Sequence, residues 1–109
     1  MKGMEGFDFN KVMKAAQDMQ KQMARVKDDL KERVVEGNAG GGMVVATVNG
    51  QQDIVAIKLD REVVNPEDVG MLEDLIVAAV NQAMKKSREM AEKEMGKITG
   101  GVLPPGLGI

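Results

Sequence analysis

From Phe9 to Leu30, apolar side chains recur at Phe9, Val12, Ala16, Met19, Met23, Val26 and Leu30, and this 3,4,3,4 spacing predicts a helix carrying a coiled-coil seam. The opposite side of that helix holds Lys11, Lys14, Asp18, Lys21, Arg25 and Asp28, four of the six cationic. One face suits protein; the other suits water or a polyanion. A helix of about 25 residues is roughly 37 Å long, whereas a compact chain of this size has a radius of gyration near ~13 Å. The helix is therefore expected to overhang its own domain, with Asp8 or Asn10 capping its start.

After Leu30 the period changes. Glu32 to Glu36 is expected to pair as a short edge strand, and the stretch Gly37 to Gly42 to be a flexible connection. Met43 to Asn49 and Asp53 to Asp60 are rich in β-branched residues and read as strands, with Asn49-Gly50 between them a type I′ hairpin signal. In that register Val44, Ala46 and Val48 share a face with Val55, Ile57 and Leu59. The other face, with Met43, Val45, Ile54 and Ala56 beside Thr47 and Lys58, is also largely apolar, so the sheet needs two covers.

Asn65-Pro66-Glu67-Asp68 reads as a helix start, with Asn65 as N-cap and proline at the first helical position, and Gly70 sets an opening turn apart from the main run. That run is Met71 to Met95. Its first half, Leu72, Leu75, Ile76, Val77, Ala78, Ala79 and Val80, is apolar nearly all round and is expected to be buried against the sheet and a further surface. Its second half thins to Ala83, Met84, Ser87, Met90, Ala91 and Met95 among Lys85, Lys86, Arg88, Lys93 and Lys97, an exposed and basic stretch. The expected organisation is a flexible lead (1–7), one domain (8–98) and an extended Gly/Pro tail (99–109). The fold class is α+β: helix, three-stranded antiparallel meander, helix. Two apolar sheet faces and helices too long for the sheet point to a homodimer, with Val45, Ile54, Leu72, Ile76, Ala79 and Val80 as its expected interface.

Composition narrows the chemistry. The 109 residues include no Cys, His, Trp or Tyr, one Ser (Ser87) and two Thr (Thr47 and Thr99). Disulfides and Cys or His metal sites are excluded, and without imidazole or thiolate there is little to run nucleophilic or general-base catalysis near neutral pH. No enzyme activity, cofactor, metal or small-molecule substrate is expected. No apolar run approaches the ~20 residues of a membrane span, and Met1 to Gly6 lacks an apolar signal core, so a cytoplasmic protein is expected. The formal net charge is only −2, but it is unevenly spread. Seven Lys or Arg face five acids from Asp8 to Arg33, and five face three from Ala83 to Ile98, while the middle, Val34 to Gln82, has two against eight.

Taken in order, several segments resemble one family. They are Lys11-Val12-Met13-Lys14-Ala15-Ala16-Gln17-Asp18-Met19-Gln20, the glycine-rich link with the Val48-Asn49-Gly50 hairpin, Ile57-Lys58-Leu59-Asp60, Met71 to Val80 leading into Asn81-Gln82-Ala83, and the tail Leu103-Pro104-Pro105-Gly106. Over almost the whole chain this resembles the YbaB/EbfC nucleoid-associated proteins of bacteria. The resemblance implies a homodimer with a shared central sheet and paired helices projecting like tweezers. It also implies a place in the nucleoid and binding to double-stranded DNA with little sequence preference. Carried over by position, the DNA-contacting residues are Lys11, Lys14, Lys21 and Arg25 on the first helix and Lys85, Lys86, Arg88 and Lys93 on the second.

The plainer alternative for these cations is a solvated face held by i,i+4 ion pairs, for which Arg25 with Asp29, Asp29 with Arg33 and Glu89 with Lys93 have the spacing. As phosphate ligands they would instead give salt-sensitive, sequence-independent binding. With Phe7 and Phe9 the only aromatics, a stacking platform for single strands is not expected. Ten methionines, with Met13, Met19, Met23, Met84, Met90 and Met95 among those in the two helices, suit core filling. They also allow a rival function, a chaperone-like clamp with a methionine-lined groove, resembling prefoldin in its helix, hairpin, helix layout. The glycine stretch lacks the Gly-Lys-Ser/Thr ending of a P-loop, and the acid pairs Glu67-Asp68 and Glu73-Asp74 are explained by a nearby helix N-terminus.

Overall fold

The computed structural model describes residues 8–99; the expected lead (1–7) and the tail from residue 100, including Leu103-Pro104-Pro105-Gly106, lie outside the described residues. The elements run α1 (Phe9–Glu32), β1 (Val34–Ala39), β2 (Val44–Asn49), β3 (Ile54–Leu59), a 3-10 turn (Arg61–Val63) and α2 (Val69–Thr99). The strands form one antiparallel meander in the order β1-β2-β3. The fold class is the α+β arrangement expected. With a radius of gyration of 20.8 Å and extents of 77 × 23 × 16 Å, the chain is a rod rather than a sphere.

α1 starts where its cap predicts. The Asp8 carboxylate accepts from the backbone N–H groups of Asn10 (3.0 Å) and Lys11 (3.3 Å), so the orphan donors of the first turn are satisfied locally. α2 starts four residues later than its expected N-cap. Asn65 instead closes the turn before the helix, accepting from Glu67 N–H, while Asp68 caps α2 by accepting from Met71 N–H at 3.2 Å. The break therefore falls before Gly70, at Asp68, and α2 runs on past Met95 to Thr99.

β1 also differs from expectation. It extends through Gly37, Asn38 and Ala39, pairing Val35 with Val48, Gly37 with Ala46 and Ala39 with Val44, so the connection shrinks to the turn at Gly40, Gly41 and Gly42. All three of these glycines have positive φ, which an L side chain resists. Gly37 is needed for a different reason. A Cβ there would overlap the Ala79 carbonyl oxygen and the Ala83 nitrogen, because α2 rests directly on the strand.

The β2–β3 hairpin forms, but not as a two-residue type I′ turn. Asn49 N–H donates to Asp53 O (2.9 Å), closing a loop of Gly50, Gln51 and Gln52 in which Gln52, not Gly50, takes the left-handed conformation (φ 65°). The Asn49 side chain organises this loop, its Oδ1 accepting from the N–H groups of Gln51 and Asp53. Glycine is required at position 50 by contact: its N–H donates to the carbonyls of Leu30 (2.8 Å) and Arg33 (2.9 Å), and a Cβ would strike Leu30. The hairpin tip thus anchors the end of α1, helped by Gln51 Nε2 donating to Lys27 O at 2.7 Å.

The core lies between the sheet and α2. Val44, Ala46, Val48, Val63, Ala79 and Ala83 are buried, ringed by Val35, Ala39, Met43, Leu72, Leu75, Ile76, Val80 and Met84. α2 crosses β1 and β2 and hardly touches β3. Cross-strand pairing puts Leu59 beside Val44 and Ile57 beside Ala46, on the core side of the sheet as expected, but an irregularity at Thr47/Val48 sets Val48 opposite Ile54 and not with Val55, and every residue of β3 is exposed. The expected need for a second cover is therefore met on neither face of β3 within the described residues.

Candidate nucleic-acid interface

α1 leaves the body of the molecule almost bare. Of its 24 residues only Leu30 is buried, and only Met23 and Val26 are half-buried; every position from Phe9 to Gln22 is exposed. The apolar seam is therefore largely uncovered, with Phe9 64% and Met19 44% exposed. On the opposite side Lys11, Lys14, Lys21 and Arg25 fall within an arc of about 80° at ~100° per residue, interrupted by Asp18 and bordered by Asp28. All four cations point to solvent, and among the described residues none closes an ion pair or a side-chain hydrogen bond.

The expected i,i+4 pairs are absent among the described residues. Arg33 follows the end of α1 in extended conformation, which turns its guanidinium across to α2, where it meets Glu94 at 3.2 Å. Lys97 reaches the same carboxylate at 3.1 Å. Hydrogen bonds from Lys97 and then Arg33 hold the Glu94 carboxyl below its ordinary pKa. Among the described residues Asp29, Glu89 and Lys93 are left without ion pairs, so helix ion pairing does not neutralise the cationic face of α1.

The cations of α2 are less uniform. Lys85, Arg88 and Lys93 are exposed and unpaired among the described residues. Lys86 is partly engaged, its Nζ donating to the Glu36 carbonyl of β1 at 2.9 Å. Helical geometry spreads the group: Lys86 and Lys93 lie within about 20° of one another, whereas Lys85 and Arg88 sit toward the other flank, about 60° apart. Ser87, inside the Lys85 to Arg88 cluster, faces the core, fully buried with its hydroxyl donating to Asn49 O at 2.6 Å. The densest run of cations in the chain is thus not one patch, whereas the stripe on α1 is.

Charge is also sorted along the molecule. Asp60, whose N–H donates to Met43 O, marks the end of the sheet remote from the α1 junction, and Glu62, Glu67, Asp68, Glu73 and Asp74 follow it in the connection and the start of α2. The cationic helices extend from the hairpin end. Among the described residues no helix is long and apolar enough to cross a membrane.

The expected interface residues have different fates. Ile54 is exposed, and Val45, Leu72, Ile76 and Val80 keep part of their surface. Ala79 has 0% exposure, closed in by β1 at Gly37, so it has no surface to offer a partner. Conversely Val55, expected on the face shared with Val44, and Val77, expected in the buried half of α2, are each 58% exposed, because periodicity says which face is apolar but not how far a helix covers it.

Comparison with known proteins places this geometry. The chain matches the family model described as the YbaB/EbfC DNA-binding family over residues 4–102. It is 54% identical over 104 residues to a nucleoid-associated protein of Syntrophobacter fumaroxidans, covering 95% of this chain and 92% of that one. It is likewise 54% identical over 99 residues to a nucleoid-associated protein of Moorella thermoacetica, covering 91% and 95%. In three dimensions it is similar to the crystal structure of the uncharacterized protein HP0035 from Helicobacter pylori, with a TM-score of 0.78 at 22% identity over 86% of this chain and 99% of the other, a likeness of fold. The family is a DNA-binding one rather than an enzyme family, and on the match across nearly its whole length this chain belongs to the YbaB/EbfC DNA-binding family.

Proposed function

We propose that this protein is a homodimeric nucleoid protein that binds double-stranded DNA through its backbone, with little sequence preference. The observation that carries the DNA reading is the stripe of Lys11, Lys14, Lys21 and Arg25, solvent-facing and, among the described residues, unpaired on a helix that projects from the body. Such cations neutralise phosphates and release condensed counterions, which gives affinity without base readout. Lys85, Arg88 and Lys93 extend the cationic surface onto α2, and Lys86, with two ammonium protons beyond the one given to Glu36, can join them. The acidic end of the molecule repels DNA, so the duplex is engaged by the projecting helices.

Support for the dimer comes from β3, an outer strand exposed on both faces with Ile54, Val55, Ile57 and Leu59 in solvent. A second copy that pairs along β3 and lays its apolar surface against Val55, Ile57, Val77 and the free parts of Leu72, Ile76 and Val80 supplies the missing cover. Nucleoid-associated relatives suggest the same cellular setting.

The test is duplex affinity across a salt series, with the mass of the same sample measured by light scattering. The expected result is a dimer whose affinity for unrelated duplexes is similar and falls steeply with salt, the slope counting the phosphates contacted. A flat salt response, or no binding at low salt, would overturn the DNA reading in favour of a methionine-lined clamp for protein. A monomer at working concentration would overturn the dimer.

A further inference from the structure

The sheet has two outer strands, and the protein treats them differently. Along β1 the Asn38 N–H donates to Oε1 of Gln82 at 2.7 Å, and the Glu36 carbonyl accepts from Nζ of Lys86 at 2.9 Å. Both backbone groups therefore point away from β2, and they are neighbouring rungs on the free edge. Gln82 and Lys86 stand one turn apart on α2, the helix that packs across β1 and β2. Along β3, among the described residues, no side chain closes the outer backbone groups.

We infer that Gln82 and Lys86 form a latch that closes the β1 edge against sheet extension, the strand excluded being β1 of another copy of this chain. An outer strand with free N–H and C=O groups is a template for a further strand, and a lysine over the edge is one of the ways proteins block it. The consequence follows from symmetry. Pairing β3 with β3 of a second copy is self-complementary and closes, but it leaves both β1 edges outermost. If those were also free to pair, alternating β3 and β1 contacts would build an open-ended sheet. The latch converts that polymer into a finite dimer. The end point rests on the β3 pairing proposed above, whereas the closure of β1 rests only on the two hydrogen bonds.

The experiment compares the full chain with its Gln82→Ala, Lys86→Ala double variant by analytical ultracentrifugation over a wide concentration range. The parent is expected to hold one mass, and the variant to grow with concentration to at least twice that mass. Adding Asn38→Pro removes the outward donor and should return the variant to the parent's size, as misfolding would not. Hydrogen exchange of the parent gives an independent reading that needs no variant: the Asn38 amide is expected to be protected despite lying on an outer strand. A double variant that keeps the parent's mass, growth that Asn38→Pro leaves unchanged, or an Asn38 amide exchanging as fast as an open one would each overturn the latch. A monomeric parent would sink the β3 dimer instead, leaving the change on mutation still to be read.

Discussion

α1 and α2 are both long amphipathic helices, yet they are stabilised in different ways. α2 buries Ala79, Ala83 and Ser87 in succession, one turn apart, directly on β1 and the hairpin. α1 buries one residue, Leu30, and is held at that end by Gly50, Gln51 and Arg33. α2 is a structural beam whose small residues are dictated by close approach. α1 is an arm, defined by its cap, its helix-forming composition and a seam that its own chain leaves open. Substitutions in the two helices should accordingly separate stability from binding.

The largest effect is expected at the beam. Gly37→Leu should abolish cooperative unfolding, and Gly37→Ala should cost about 3 kcal/mol or more in a denaturant titration, because the clash is with the backbone of α2 rather than with a movable side chain. A small loss for Gly37→Ala would mean that α2 sits more loosely on β1 than described.

Next comes the arm. Replacing Lys11, Lys14, Lys21 and Arg25 together by Glu should lower duplex affinity by about 100-fold, or about 2.7 kcal/mol, with the salt slope falling by about one unit per phosphate-contacting cation. Unfolding free energy should change by less than about 1 kcal/mol, since these side chains are exposed and close no ion pair among the described residues. Equal losses of stability and affinity would erase the distinction between the helices.

Smaller still is Ser87→Ala, which removes the buried hydroxyl from the Asn49 carbonyl. That carbonyl keeps the Gln52 N–H, so the cost should be about 1 kcal/mol by thermal unfolding, with duplex affinity unchanged. A loss of DNA binding here would show that the hairpin tip sets the aim of the arm.

The smallest effect is electrostatic. Glu94 has its carboxyl pKa lowered by Lys97 and Arg33, so its contribution to stability is present above the ordinary value of 4.5 and is lost as pH falls through the lowered one. The parent should show a slight extra destabilisation on acidification in that window, which Glu94→Gln should remove. An unchanged pH profile in Glu94→Gln would mean that the bridge from Arg33 does not restrain the arm.

Much of this was legible in the residues before any coordinates. The seam from Phe9 to Leu30, the three strands, the face that Val44 and Ala46 share with Leu59 and Ile57, and the length of the helices follow from periodicity, which reports local geometry, whereas the pairing register depends on a turn that closes over three residues and not the expected two. The cations of α1 follow from the same periodicity, and the structure adds that they are unpaired among the described residues. Other features stayed hidden because they depend on residues far apart in the chain. Gly37 reads as a linker glycine until α2 is laid on it, and Gly50 reads as a turn glycine until Leu30 is placed beneath it. Lys86 reads as one of a cationic cluster until Glu36, 50 positions away, is seen at its ammonium.

Chain chemistry alone settled what kinds of element form and which of their faces are apolar or cationic, because those properties are set by neighbours within a few residues. It also ruled out thiol and imidazole chemistry outright. Tertiary packing decided which apolar faces are covered and which are left open. α2 spans two strands and not three, so Ala79 is enclosed, Val55 and Val77 stay exposed, and among the described residues the β1 edge is tied while no side chain closes the β3 edge. Coverage depends on where one element stops on another, a distance that no local pattern encodes.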